Sequence, residues 1–147
     1  MSARDGGRIA VLAGGHAELD GVVHSTTSLL SGPLIQLLVH RDAEAPGGFE
    51  RRVDGTWMRV VERTSLTRLF RVTTHATWRG HEVRVERVLG HEAHLWSQTY
   101  RPPDDSRVVL DRDSWSATVP VDELSDVVST TGELSVTWPV RPEGLAW

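Results

Sequence analysis

The chain has 147 residues, sixteen basic side chains against twenty acidic ones, a formal net charge of −4 and no cysteine. The missing cysteines exclude a disulfide framework, a thiolate metal centre and a cysteine nucleophile, and the acidic balance argues against nucleic acid as a partner. All the basic residues are arginine, as GC-rich coding produces, and the first apolar run, residues 9–13, is shorter than a signal peptide's core; a cytoplasmic protein with no membrane segment is expected.

In chain order, short β-prone runs around Gly14-Gly15 predict a hairpin or bulged strand. Residues 22–30 and 33–41 read as strands joined at Ser31-Gly32. In the second of them Ile35, Leu37 and Val39 share a face by period two, while Leu34, Gln36, Leu38 and His40 form an opposite face too apolar for open solvent. Residues 42–55, with Pro46-Gly47-Gly48 inside and Asp54-Gly55 at the end, read as a surface loop of a length that is often functional. A strand from Trp57, one helical turn over 63–68 and a long strand over 69–80 follow. Next, Val83, Val85 and Leu89 point one way and Glu82, Arg84 and Glu86 the other. Beyond Gly90, Ala93 and Leu95 face in, with His94, Trp96 and Tyr100 on the second face. Residues 101–107 form a second loop. A strand over 114–120 ends at Pro120, which has no N–H for a ladder, and Asp122 is placed to cap a short turn. After a strand from Val127, Leu134, Val136 and Trp138 alternate inward until Pro139.

This order repeats. Shifted by 59 residues, His16, Ala17 and Gly21 fall on His75, Ala76 and Gly80; shifted by 58, Gly32, Leu37, Trp57, Val61, Leu66 and Thr73 fall on Gly90, Leu95, Trp115, Val119, Leu124 and Thr131. A unit of about 60 residues buries only about 60% of its unfolded surface and is marginal alone. Two repeats, 8–74 and 69–138, are therefore expected to share the strand over 69–78 and fold as one body, followed by a tail over 139–147.

The chemistry-bearing residues do not assemble into a catalytic set. His91 and His94 are three apart, so a plain strand points them to opposite faces, and with His81 they make a poor metal site. His16 and His75 are repeat-equivalent, which favours a structural role. Asp104 and Asp105 sit on a proline-rich loop as turn formers. There is no nucleophile elbow, phosphate-cradling glycine loop or dinucleotide fingerprint. No enzyme activity, cofactor or metal is expected. Arg59 lies on the face of Trp57 and Val61, where an unpaired charge is costly, so it either stacks on an indole or reaches an acidic partner. Trp96 is either a seam between barrels or an exposed anchor.

A tryptophan strand running into a single helical turn, after three strands and a loop, resembles the SH3-like barrel. The fold this implies is all-β, two tandem SH3-like barrels from an internal duplication with a continuous central strand. The ligand-binding tyrosines of SH3 domains are missing, which puts polyproline recognition in doubt. Residues 55–90 and the later SWSATVPVDELSDV resemble actinobacterial immunity factors of secreted NAD-glycohydrolase toxins of the tuberculosis necrotizing toxin type. That resemblance implies a cytoplasmic antitoxin that binds a cognate toxin domain one-to-one and occludes its active site. The rival reading is a tandem SH3-like adaptor. Because aromatic and arginine residues dominate interface energetics, Phe49, Arg51 and Arg52 on the first loop, Arg101 on the second and Trp96 beside it are the candidate anchors.

Overall fold

The computed structural model describes residues 4–5, 8–9, 12–99 and 101–139. Tyr100 and the expected tail beyond Pro139 lie outside the described residues. The chain is all-β, 56% strand and 5% helix, and its strands pair antiparallel. Its strands are β1 (Arg4–Asp5), β2 (Arg8–Ile9), β3 (Gly14–Leu19), β4 (Val22–Thr26), β5 (Leu34–Val39), β6 (Glu50–Arg51), β7 (Trp57–Glu62), β8 (Arg68–Trp78), β9 (His81–Leu89), β10 (Glu92–Ser97), β11 (Val109–Asp111), β12 (Ser114–Pro120) and β13 (Ser125–Leu134). Single 3₁₀ turns, Arg63–Ser65 and Val121–Glu123, follow β7 and β12.

Two compact units divide the described residues: a first unit of 15–71 with 131–139, and a second of 4–5, 8–9 and 12–14 with 72–130. The expected repeats 8–74 and 69–138 differ from these units at their ends, since the chain after residue 130 returns to the first unit. The first unit orders its strands β3-β4-β5-β7-β6 and the second β8-β9-β10-β12-β11, with β13 paired to β8. Ala17, Ile35, Leu37, Phe49, Val61 and Leu69 centre the first core, and Leu134 and Val136 pack on it as the alternation predicts, whereas Trp138, expected inward with them, is exposed. Ala76, Trp78, Val83, Val85, Leu95, Trp115 and Val119 centre the second.

The ladders recur with the spacing found in the sequence. Ile35 pairs with Val61, Leu37 with Arg59 and Val39 with Trp57; 58 residues on, Ala93 pairs with Val119, Leu95 with Ala117 and Ser97 with Trp115. The opening hairpins recur at 59: His16 pairs with Ser25 and His75 with Arg84. Both turn through two residues of positive φ, Asp20-Gly21 and Arg79-Gly80, the left-handed pair that matches the twist of hairpin strands. Each 3₁₀ turn is tied back at the same place, Arg63 N–H to the Pro33 carbonyl and Val121 N–H to the His91 carbonyl, both at 2.8 Å. Pro120 ends β12 as expected, but Asp122 is not the cap: it lies inside the turn, whose N-cap is Pro120.

One register shift corrects the sequence reading. Val85 pairs with Leu95 and Arg87 with His94, leaving Glu86 as the extra residue of a β-bulge. The bulge reverses the alternation beyond it, so Val88 enters the core in place of the expected Leu89. Gly14 admits the bulge: a Cβ there would stand 2.7 Å from the Glu86 carbonyl oxygen.

The first unit is pinned by a buried arginine. Arg63, 2% exposed, donates from Nε to the Gly32 carbonyl at 3.0 Å, and from its two terminal nitrogens to the carbonyls of Ser135 and Leu30. Three carbonyls on two chain segments are satisfied by one planar fork, and the Trp138 ring lies 5.8 Å from the guanidinium carbon.

Trp57 and Trp115 occupy the same ladder position but differ in burial. Trp115 is fully buried in the second core with its Nε1 donating to Thr99 Oγ1 at 3.0 Å, whereas Trp57 packs on the edge of the first core and stays half-exposed. Trp115→Ala is expected to cost about 3–5 kcal/mol, and Trp57→Ala only about 1–2 kcal/mol. Urea midpoints of the two variants test this; equal losses would mean that burial is not what separates the sites.

Candidate partner-binding face

In the first unit the chain between β5 and β7 is fixed at several points. Phe49 is buried in the core, its ring 5.4 Å from that of His24 and tilted by 44°. Beyond β6 the tip closes on itself: Arg52 N–H donates to the Thr56 carbonyl at 2.7 Å, Gly55 N–H to the Arg52 carbonyl at 2.9 Å, and Thr56 N–H to Asp54 Oδ1 at 2.9 Å. That last bond is the main reason the Asp54 carboxyl lies below its usual range. Val53 stands wholly in solvent at the tip. Arg51 pairs with Trp57 across β6 and β7 and holds its guanidinium 5.6 Å from the centre of an indole ring. Arg52 is exposed.

Arg59 follows neither alternative read from the sequence. Trp57 takes Arg51 instead, and among the described residues Arg59 has neither a carboxylate nor an indole. Its guanidinium lies beside Gly48, where a Cβ would come within 3.4 to 3.5 Å, and its charge acts on His24. Burial first, and the Arg59 charge second, hold the His24 imidazole below the usual histidine range.

The corresponding loop of the second unit carries arginine differently. Arg107 donates from Nε and Nη2 to the two oxygens of Asp105, at 2.9 and 2.8 Å, and also reaches Glu123 at 2.9 and 3.0 Å. Arg79 Nε adds a contact to Asp105 at 3.0 Å, and Trp78 Nε1 donates to Glu123 at 3.1 Å. The guanidinium groups of Arg79 and Arg107 both lie within 6 Å of the Trp78 ring, at 5.7 and 5.6 Å. Asp104 is exposed, but Asp105, expected to be a solvated turn former, has a side chain only 7% exposed, and its bonds to Arg107 hold it far below the usual carboxylate range. An acid two residues before an arginine was the signal available in the sequence.

Phe49, Arg51 and Arg52 therefore lie together on one loop of the first unit. Phe49 is a core residue and not an exposed anchor, because the aromatic ring closes the loop over His24. Trp96 and Arg101 belong to the second unit. Trp96 is half-buried on β10, on the face away from Ala93 and Leu95, with Arg84 and Ser116 as its ladder partners. Arg101 is exposed. The expected structural role of the paired histidines holds for His16, buried and stacked 5.2 Å from Phe70, but His75 is exposed. His81 packs edge-on to Trp115 at 6.2 Å, His94 shares a hydrogen bond with Thr118 and His91 is exposed; among the described residues no group of three potential ligands is placed to hold a metal ion. No helix among them is long and apolar enough to cross a membrane.

No family model matches the chain, and neither a curated protein nor a solved structure matches it.

The Asp105 network gives the second unit a pH signature. A carboxylate with a lowered folded pKa binds fewer protons than the unfolded chain, so its stabilisation is fully present above the unfolded value, about 4, and is lost as pH falls towards the folded one. Asp105→Asn should lower the melting temperature at pH 7, with the gap to wild type narrowing progressively below about pH 4. A gap that stays constant down to pH 2 would show that the carboxylate charge is not the source.

Proposed function

We propose that this protein is an immunity protein: a cytoplasmic antitoxin that binds one cognate toxin domain and occludes its active site, with a toxin of the NAD-glycohydrolase type. Each half is an SH3-like barrel, the pair having arisen by internal duplication. The recurrence of both ladders at fixed spacing supports the duplication. The immunity reading is carried by one observation, the contrast between equivalent loops. Arg107 of the second unit is engaged by Asp105 and Glu123, whereas Arg51 and Arg52 of the first present their charge to solvent from a loop already fixed by Phe49 and the Asp54 turn. An interface loop that is ordered before binding loses less conformational entropy on association, and arginine beside tryptophan is the composition of interface hot spots.

The adaptor reading has its own support in β13. Every residue from Ser125 to Glu133 is exposed, the segment Val127–Thr130 carries no charge, and among the described residues the strand pairs with β8 alone. An edge of that kind is suited to strand addition by an extended peptide.

Co-expression decides between them. The product of the adjacent gene, expressed alone, is expected to stop growth and empty the NAD pool, and this chain to restore both. A harmless neighbour removes the immunity reading. With a toxic neighbour, the double substitution Arg51→Ala, Arg52→Ala should weaken rescue, while Trp96→Ala with Arg101→Ala reports separately on the second unit. Full rescue by both doubly substituted, folded proteins would move the interface elsewhere.

A further inference from the structure

Arg59 occupies an unusual position. It lies on the core-facing side of β7 with Trp57 and Val61 and opposite Leu37, and at the same place in the second unit stands Ala117, which is buried. The other arginines with buried or networked guanidinium groups have oxygen partners: three carbonyls for Arg63, Asp105 for Arg79, Asp105 and Glu123 for Arg107, and Glu133 for Arg68. Arg59 is half-buried, and among the described residues it has no hydrogen bond and no ion pair. Removing a guanidinium from water without a counter-charge is destabilising. Fold requirements do not account for it, since alanine serves at the equivalent position.

The surroundings are open to an anion. Gly48, at φ +91°, leaves the space beside the guanidinium free of a side chain. His24, with Phe49 beside its ring, is close enough for the Arg59 charge to act on it, and both of those residues are buried, so a charge–charge contact at this edge is stronger than in bulk water. The rim consists of Arg51 on Trp57, Arg52 and the exposed Val53. Arginine and aromatic surface with a small apolar tip is the composition of a protein interface, and a planar guanidinium matches a carboxylate through two parallel hydrogen bonds.

We propose that Arg59 is a receptor for an acidic side chain of a protein partner, an aspartate or glutamate that enters beside Gly48 and completes the ion pair the fold leaves open. The assignment rests on the partner-binding reading of this loop and names the chemistry the partner must present. Arg59 is a binding residue in this scheme, and Arg51 and Arg52 are its rim.

The test uses the full chain, acetylated tetraglutamate as the probe, and tetraglutamine and inorganic phosphate as controls, with the His24 ring followed by NMR across a pH titration. A carboxylate seated on Arg59 cancels the positive charge that His24 feels, so tetraglutamate should raise the His24 midpoint. Tetraglutamine should leave it unmoved, and the response should vanish in Arg59→Ala. That variant should melt no lower than wild type, because Ala117 shows what the position tolerates. A melting temperature lowered by more than about 5 °C would make Arg59 a structural residue and overturn the proposal. So would a His24 midpoint indifferent to tetraglutamate, and a response to phosphate alone would replace the acidic side chain with a free oxyanion. The titration and the co-expression result are separable: a silent titration leaves rescue standing, and failed rescue beside a positive titration removes the toxin while retaining the acid receptor.

Discussion

One strand, β8, constrains everything else. It is the last strand of one repeated ladder and the first of the next, and its eleven residues run without interruption. Side chains on a strand alternate, and the opening hairpins repeat at 59, an odd number, so equivalent residues of the two repeats have opposite parity. On β3 the first core takes the odd positions Ala17 and Leu19; on β8 it takes Leu69, and the second core takes the even positions Ala76 and Trp78. The later ladders repeat at 58, and the bulge at Glu86 lies where the parity of the second unit has to be reset before β10.

Period-two patterning made most of this legible in the sequence. The tryptophan strands, the single turns after them, the long β8 and the inward alternation of Leu134 and Val136 all follow from side chains whose local preference and burial agree. What escaped detection involved contacts distant in sequence or elements too short to have a period. β6 and β11 are only two and three residues long. Leu89 was expected inside because no local signal marks Glu86 as an extra residue; the bulge is defined by its partner strand and by the approach of Gly14. Phe49 was expected outside because it lies in a loop rich in glycine and charge, yet a single aromatic in such a loop is what can tie it to a core. The arginines were the hardest to place. Arg59, Arg63 and Arg107 look alike as letters, and each has a different fate: a half-buried group without an anion, a fork on backbone carbonyls, and a carboxylate network.

The two units show how one backbone plan supports different surfaces. With Trp115 buried, Ala117 filling the position of Arg59 and Trp78 in place of Leu19, the second unit closes its core, and its loop is drawn down by Asp105 and Glu123. The first unit holds the same ladders with a half-exposed Trp57, an arginine in the alanine position and a loop whose cations face water. Apolar burial at these equivalent positions is thus greater in the second unit, and polar opportunity greater in the first. The proposed acid receptor lies in the first unit, where an arginine takes the ladder position that alanine fills in the second.

Arg63 also has a consequence for the order of events during synthesis. Its guanidinium joins the carbonyls of Leu30 and Gly32 to that of Ser135, a residue made seventy-two positions after it. The ribosome delivers the β3 to β7 region well before Ser135, so a complete set of acceptors for this cation exists only after β8 to β13 have been made. Until then the first unit must wait, with Leu134 and Val136 also absent from its core. A chain that stops short of Ser135 would lose the first unit's closure and with it the surface proposed to meet the partner.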